Sequence, residues 1–140
     1  MATLEEIRER IAEARKLAKE KQEAQFAIDL EKYFEIMTER GESAVVKTDV
    51  ERYVDGLPTL VVHRLPSPAE AKRFQQRTVG VNGKPGDPIA AANELAESCL
   101  LYPERETYKK LCDVFTQINM RAAQTAVAAS EGKQVEEGKI

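Results

Sequence analysis

His63, Cys99 and Cys112 are the side chains with the richest chemistry in this 140-residue chain, and their spacing decides how much of it can be used. A metal centre needs three or four ligands at suitable intervals, and one histidine with two cysteines thirteen residues apart matches no such pattern. A hydrolytic triad would have to take His63 as its base, and no serine stands in a strand-turn-helix elbow. Gly80, Gly83 and Gly86 do not lie between a strand and a Gly-Lys-Ser/Thr helix start, so no phosphate cradle is expected. Carboxylate pairs such as Glu5 and Glu9 fall on a charged helix face and read as solvated surface. Catalytic residues, cofactor-binding residues and metal ligands are therefore all expected to be none. What remains is cationic: Arg64, Lys72, Arg73 and Arg77 could reach phosphates from a basic helix at 68–78, with only Phe74 among them to stack on a base.

The elements that would position these residues follow from composition and periodicity. Charged residues make up 32% of the chain, yet the net charge is only -3, so no global polybasic or polyacidic surface is expected. Residues 43–86 carry 7 basic and 4 acidic side chains, a mildly basic middle between two acidic segments. No apolar run approaches the roughly 18 residues of a membrane helix, and the N-terminus is charged where a signal peptide would be apolar, which predicts a cytosolic protein. Cys99 and Cys112 fall on apolar helical stripes, the usual place of small reduced thiols. The length suits one core.

Residues 3–40 contain neither proline nor glycine and predict one long charged helix, stopped by Gly41. Leu4, Ile7, Ile11, Ala14 and Ala18 step by three and four, the seam of a coiled coil. Phe26, Leu30, Tyr33 and Met37 resume the stepping eight residues past Ala18, on an offset face. Two arrangements are open: only the second half packs on the domain, or Leu4 to Ala18 also docks on another chain, with Leu4, Ile7 and Ile11 as a self-association seam. From 44 to 64 the pattern turns β-branched. Ala44 to Val46, Tyr53-Val54 and Leu60 to Val62 are candidate strands, and Asp55-Gly56 is a turn.

Ser67 followed by Pro68 and Glu70 is a capping box that must start a helix, which fades by Gly80. Val81 to Gly86 is a connection. Asp87-Pro88 starts the next helix, with Ile89, Ala92, Leu95, Ala96, Cys99 and Leu100 as its stripe. Tyr102-Pro103 ends it. Tyr108, Leu111, Cys112 and Phe115 begin another stripe, and Ile118, Ala122, Ala126 and Ala129 mark a last, small-faced helix ended by Gly132. The expected fold is mainly α with a small hairpin or two- to three-stranded sheet, α+β in class. It has a long N-terminal helix (1–42), a small domain (43–131) ending in a bundle of about four helices, and a flexible polar tail (132–140).

Two stretches, Val61-Val62-His63-Arg64-Leu65-Pro66-Ser67-Pro68-Ala69-Glu70-Ala71-Lys72-Arg73-Phe74 and Ala90-Ala91-Ala92-Asn93-Glu94-Leu95-Ala96-Glu97-Ser98-Cys99-Leu100-Leu101-Tyr102-Pro103, resemble the small tail assembly chaperones of tailed bacteriophages. The resemblance covers about residues 57 to 130. It implies a non-enzymatic protein in the cytoplasm of the infected cell that coats the long helical tape measure protein, helps recruit tail tube subunits around it, and is absent from the finished virion. It asks for an apolar groove that accepts an amphipathic helix, for which Leu95, Leu100, Tyr108, Leu111 and Phe115 are the candidates if they are not simply core. Relatives often make a longer product by ribosomal slippage, and Gly132-Lys133 is a codon pair compatible with a slippery site. The helix at 3–40 lies outside the family pattern and leaves room for an added oligomerisation or docking arm. Gln117-Ile118-Asn119 stands where relatives often have a proline-containing turn. The alternatives are a virion structural or head-tail component, or a small nucleic-acid-binding protein using helix 68–78.

Overall fold

The computed structural model describes residues 1–132. Helix α1 (Leu4–Arg40) begins where the Thr3 hydroxyl accepts the Glu6 amide and ends at Gly41, whose φ of 98° a side chain would strain. At 1.5 Å per residue it is about 55 Å long. A single 3₁₀ turn leads into strand β1 (Val45–Asp49), followed by β2 (Leu60–Arg64). Helices α2 (Pro68–Val79) and α3 (Pro88–Cys99) come next, then β3 (Leu100–Tyr102), α4 (Arg105–Val114) and α5 (Ile118–Ser130). The α+β class, the long first helix and a helical C-terminal region of four helices all stand as the sequence predicts. The polar tail expected from 133 onward lies outside the described residues.

The sheet is antiparallel in the order β1-β2-β3, with Val45 opposite Arg64 and Asp49 opposite Leu60 on one side, and Val62 opposite Tyr102 on the other. Two local expectations are corrected. Tyr53-Val54 is not a strand: it lies in the β1–β2 connection, where Val50, Val54 and Leu57 pack over the core that contains Phe115. The third strand is Leu100–Tyr102 instead, where the apolar stripe of α3 unwinds before Pro103 and pairs with β2. A propensity argument sees only that the helix stops there. Whether the freed backbone finds a strand edge depends on β2 being alongside.

Central strand β2 is buried on both faces, and its alternating side chains serve two layers. Leu60 and Val62, with Val45, pack against Tyr33, Ile36 and Met37 of α1. Val61 points the other way, into a cluster of Ala96, Tyr108, Leu111, Phe115 and Ile118. A further cluster joins Ala92, Leu95 and Cys99 of α3 to Ala123 and Val127 of α5. Alanines on both helices allow close approach without large side chains to interleave. The buried face of α3 is Ala91, Ala92, Leu95, Ala96 and Cys99, while Ile89, expected on the stripe, is 70% exposed.

The capping devices form as the sequence requires. The Ser67 hydroxyl accepts the Glu70 amide and the Glu70 carboxylate accepts the Ser67 amide, while Asp87 accepts the Ala90 amide. The connection between α2 and α3 is held close: the Asp87 amide donates to the Arg77 carbonyl at 2.7 Å. Gly86 leaves no room for a Cβ, which would fall 2.1 Å from the Thr78 carbonyl oxygen.

One polar group fixes α1 on the sheet. Asp29 is fully buried, and its carboxylate accepts from Gln25 Nε2 at 2.9 Å, the Thr59 amide at 2.7 Å, the Thr59 hydroxyl at 2.6 Å and the Tyr102 hydroxyl. A buried carboxylate is tolerated only when donors replace its water. Replacing it by alanine leaves the Thr59 amide and two hydroxyls unpaired, and Asp29→Ala is expected to lose about 3–5 kcal/mol. Tyr102→Phe removes a single donor and should lose about 1–2 kcal/mol. Urea unfolding with matched m-values measures both, and an Asp29→Ala protein as stable as the native one would contradict this account.

Candidate interaction surface

The five residues expected to line a groove divide between two clusters. Tyr108, Leu111 and Phe115 are buried together with Leu100 half-buried against them, and Leu95 is buried with Ala92, Cys99, Ala123 and Val127, at the floor of a small crevice beside Phe74. Of the two possibilities the sequence left open, their burial favours core. The Tyr108 hydroxyl donates to Asn119 Oδ1, and Asn119 Nδ2 donates to Asn93 Oδ1 at 2.9 Å, which ties α3, α4 and α5 by polar contacts at the core's edge. Asn119, in the first turn of α5, is the hub.

The self-association candidates lie elsewhere. Leu4, Ile7 and Ile11 are 63%, 43% and 45% exposed, and Leu17 is exposed as well. Among the described residues no other element covers the first turns of α1. Its first lateral neighbour is the β1–β2 connection, where Lys21 meets Asp55 at 3.6 Å and Ala14, Leu17 and Ala18 form one wall of a shallow crevice opposite Tyr53.

The line by which α1 docks keeps half of the predicted one. Tyr33 and Met37 pack on the sheet as expected, but Phe26 and Leu30 are exposed, and Gln25, Asp29 and Ile36 complete the docked line. Asp29 lies eleven residues past Ala18, about three turns, so at 3.6 residues per turn the body-facing line continues the Leu4 to Ala18 line rather than leaving it. A hydrophobic pattern could not show this, because the residue at the centre of the docked face is an acid.

The basic helix is partly neutralised. Arg64 Nη1 and Nη2 donate to the two Glu70 oxygens at 2.8 and 3.0 Å, and Nη2 also reaches the Ser98 carbonyl. Arg73 pairs with Glu94 at 3.1 Å, and Arg77 pairs with the other oxygen of the same carboxylate. Three of the four cations that suggested nucleic acid thus join β2 to α2 and α2 to α3, while Lys72 is exposed and makes no ion pair with a described residue.

The chemically active residues are buried among apolar neighbours. His63 meets Tyr108 edge-to-face at 5.6 Å, and among the described residues neither ring nitrogen has a partner at full hydrogen-bonding geometry, the Ala96 backbone making a weaker approach. Burial, offset in part by the Ala96 backbone, lowers its pKa to about 4. Both cysteines are free; burial raises the Cys99 pKa and pushes Cys112 up to about 11, so both stay thiols at neutral pH. Among the described residues there is no group of three or more His, Cys, Asp or Glu able to hold a metal ion, and no helix long and apolar enough to cross a membrane. No protein-family model, no curated protein and no solved structure matches this chain.

Two groups make stability depend on pH. His63 has a folded pKa below its ordinary 6.5, so protons favour the unfolded chain: stability is complete above 6.5 and falls as pH drops from there toward 4, by about 3 kcal/mol at most. Hydrogen bonds from Arg64 and Ser67 lower the Glu70 pKa from 4.5 to about 2, so its contribution is present above 4.5 and lost between 4.5 and 2. Glu70 is partly exposed and solvent screens it, so that second loss is nearer about 1 kcal/mol. Denaturant midpoints between about pH 7.5 and about pH 3 check this, with His63→Leu expected to flatten only the upper limb.

Proposed function

We propose that this chain is a non-enzymatic interaction protein, and specifically a tail assembly chaperone of a tailed bacteriophage that binds the tape measure protein and helps recruit tail tube subunits. The observation that carries the interaction role is the contrast between body and arm. In the body most large apolar side chains are buried and the exposed ones, Val79, Val81, Ile89 and Val114, are scattered over separate segments, whereas the start of α1 presents Leu4, Ile7 and Ile11 to solvent as one line on a well-capped helix. A helix so long and so little covered costs conformational entropy that a lone monomer recovers only in its second half. An interaction surface on the first half accounts for that expense.

The chaperone assignment rests on the resemblance over residues 57 to 130. Its strand, arginine, proline and capped helix form one unit here, with Arg64 bound to the Glu70 carboxylate that also closes the cap. Four of the five residues that the resemblance offered for a groove are buried, which supports the arm as the surface that meets a client helix. The host cytoplasm is the compartment where such a client is synthesised.

Co-expression with a fragment of the candidate tape measure protein tests the assignment. The fragment should move from the insoluble to the soluble fraction only when this chain is present, and should co-purify with it. A fragment that stays insoluble overturns the assignment. Finding the chain at structural copy number in purified virions would do so too, in favour of a virion component.

A further inference from the structure

The charges around the exposed line of α1 are sorted by side. With Leu4, Ile7, Ile11, Ala14 and Ala18 as the seam, the positions that border it are Arg8 and Arg15 on one side and Arg10 and Leu17 on the other. Lys21 follows at the end of the seam. The acids Glu5, Glu6, Glu9, Glu13 and Glu20 fall on the outer face, where Lys16 and Lys19 also lie, so that no acid borders the seam itself. Arg8, Arg10 and Arg15 are exposed, and none makes an ion pair with a described residue. This is the reverse of α2, whose arginines are bound to carboxylates within the body.

Border charges decide which helix can lie against an apolar seam. Two copies of α1 would oppose arginine with arginine whether they ran parallel or antiparallel, because both borders are basic. Like charges across such a seam disfavour the pair and so act against self-association. A helix with glutamate or aspartate at its own border positions would instead meet Arg8, Arg10 and Arg15 as ion pairs while its apolar residues covered Ile7 and Ile11. The crevice between α1 and Tyr53 extends the same line toward the body, so the docked helix would run on to an aromatic wall.

We infer that the first half of α1 is the docking site for an amphipathic helix whose apolar stripe is bordered by acidic residues, and that this helix belongs to the client rather than to a second copy of the chain. The inference rests on the proposed role as an interaction protein and adds the chemistry of the partner.

The test uses the full chain and two labelled helical peptides with leucine seams, one with glutamate at every border position and one with lysine. In fluorescence anisotropy at low ionic strength the glutamate peptide should bind at least about tenfold more tightly than the lysine peptide, with the gap narrowing as salt is added. R8E/R10E/R15E should invert that preference, and I7A/I11A should weaken binding of the glutamate peptide, with circular dichroism showing the helix intact in both variants. Equal binding of the two peptides, or a preference unchanged by the triple variant, overturns the inference. A dimer of the native chain in sedimentation that I7A/I11A abolishes would make a second copy the occupant. Binding to phosphatidylglycerol vesicles with none to the glutamate peptide would make it a membrane.

The two ideas fail separately. If the tape measure fragment stays insoluble but the glutamate peptide binds, the chaperone assignment falls and the site stands. If the fragment is solubilised equally by the native chain and by R8E/R10E/R15E, the assignment stands and the site falls.

Discussion

A carboxylate without access to water governs how this protein is put together. Asp29 is stable inside only because Gln25, Thr59 and Tyr102 supply donors, and those donors come from the same helix, the entry to β2 and the short strand β3. Helix docking, sheet closure and the path of the chain after α3 are therefore conditional on one another. The apolar neighbours Tyr33, Ile36 and Met37 are only partly buried and would tolerate some sliding. Hydrogen bonds to a buried acid are directional and do not. The helix is thus fixed in rotation as well as in position, and fixing its rotation also sets which side of the projecting half bears Leu4, Ile7 and Ile11.

On the far side of the sheet the demands are mostly those of shape. Val61 and His63 enter the space between α3, α4 and α5, where Tyr108 and Leu111 fill most of the volume and the alanines of α3 and α5 let the helices close over it. The polar contacts of Tyr108 and Asn119 lie at the margin, where they can orient α4 without placing an unpaired group in the centre. His63 and Thr48, whose hydroxyl is also buried without a partner among the described residues, are the exceptions, and His63 is the one that can titrate. It is kept neutral by its surroundings and contributes packing at neutral pH, which makes it an acid-sensitive member of the core.

Charge is handled differently in the two parts of the molecule. Within the body, Arg64 is matched to Glu70, and Arg73 and Arg77 share Glu94, so ion pairs join elements. Along the first half of α1 the charges that border the exposed apolar line are all cations, and the acids face away from it together with Lys16 and Lys19. The first arrangement joins parts of the fold; the second leaves its arginines exposed beside an apolar line.

Local chemistry was enough to place the elements that terminate themselves. The Ser67–Glu70 box, Asp87 before Pro88, and Gly41 after a long run of helix formers act over a single turn, so their outcome was legible in the chain. The sequence also showed Leu4, Ile7 and Ile11 as a line. It did not decide whether Leu95, Tyr108, Leu111 and Phe115 faced a core or a groove, because periodicity reports which residues share a face and not what that face meets. Phe26 and Leu30 misled for the complementary reason: the docked line of α1 is centred on an acid, and an acid counts as inward only when Thr59 and Tyr102, distant along the chain, arrive to satisfy it. The third strand, the filled interior and the aim of the arm were decided by tertiary structure alone, since each depends on partners that meet only once the chain has closed on itself.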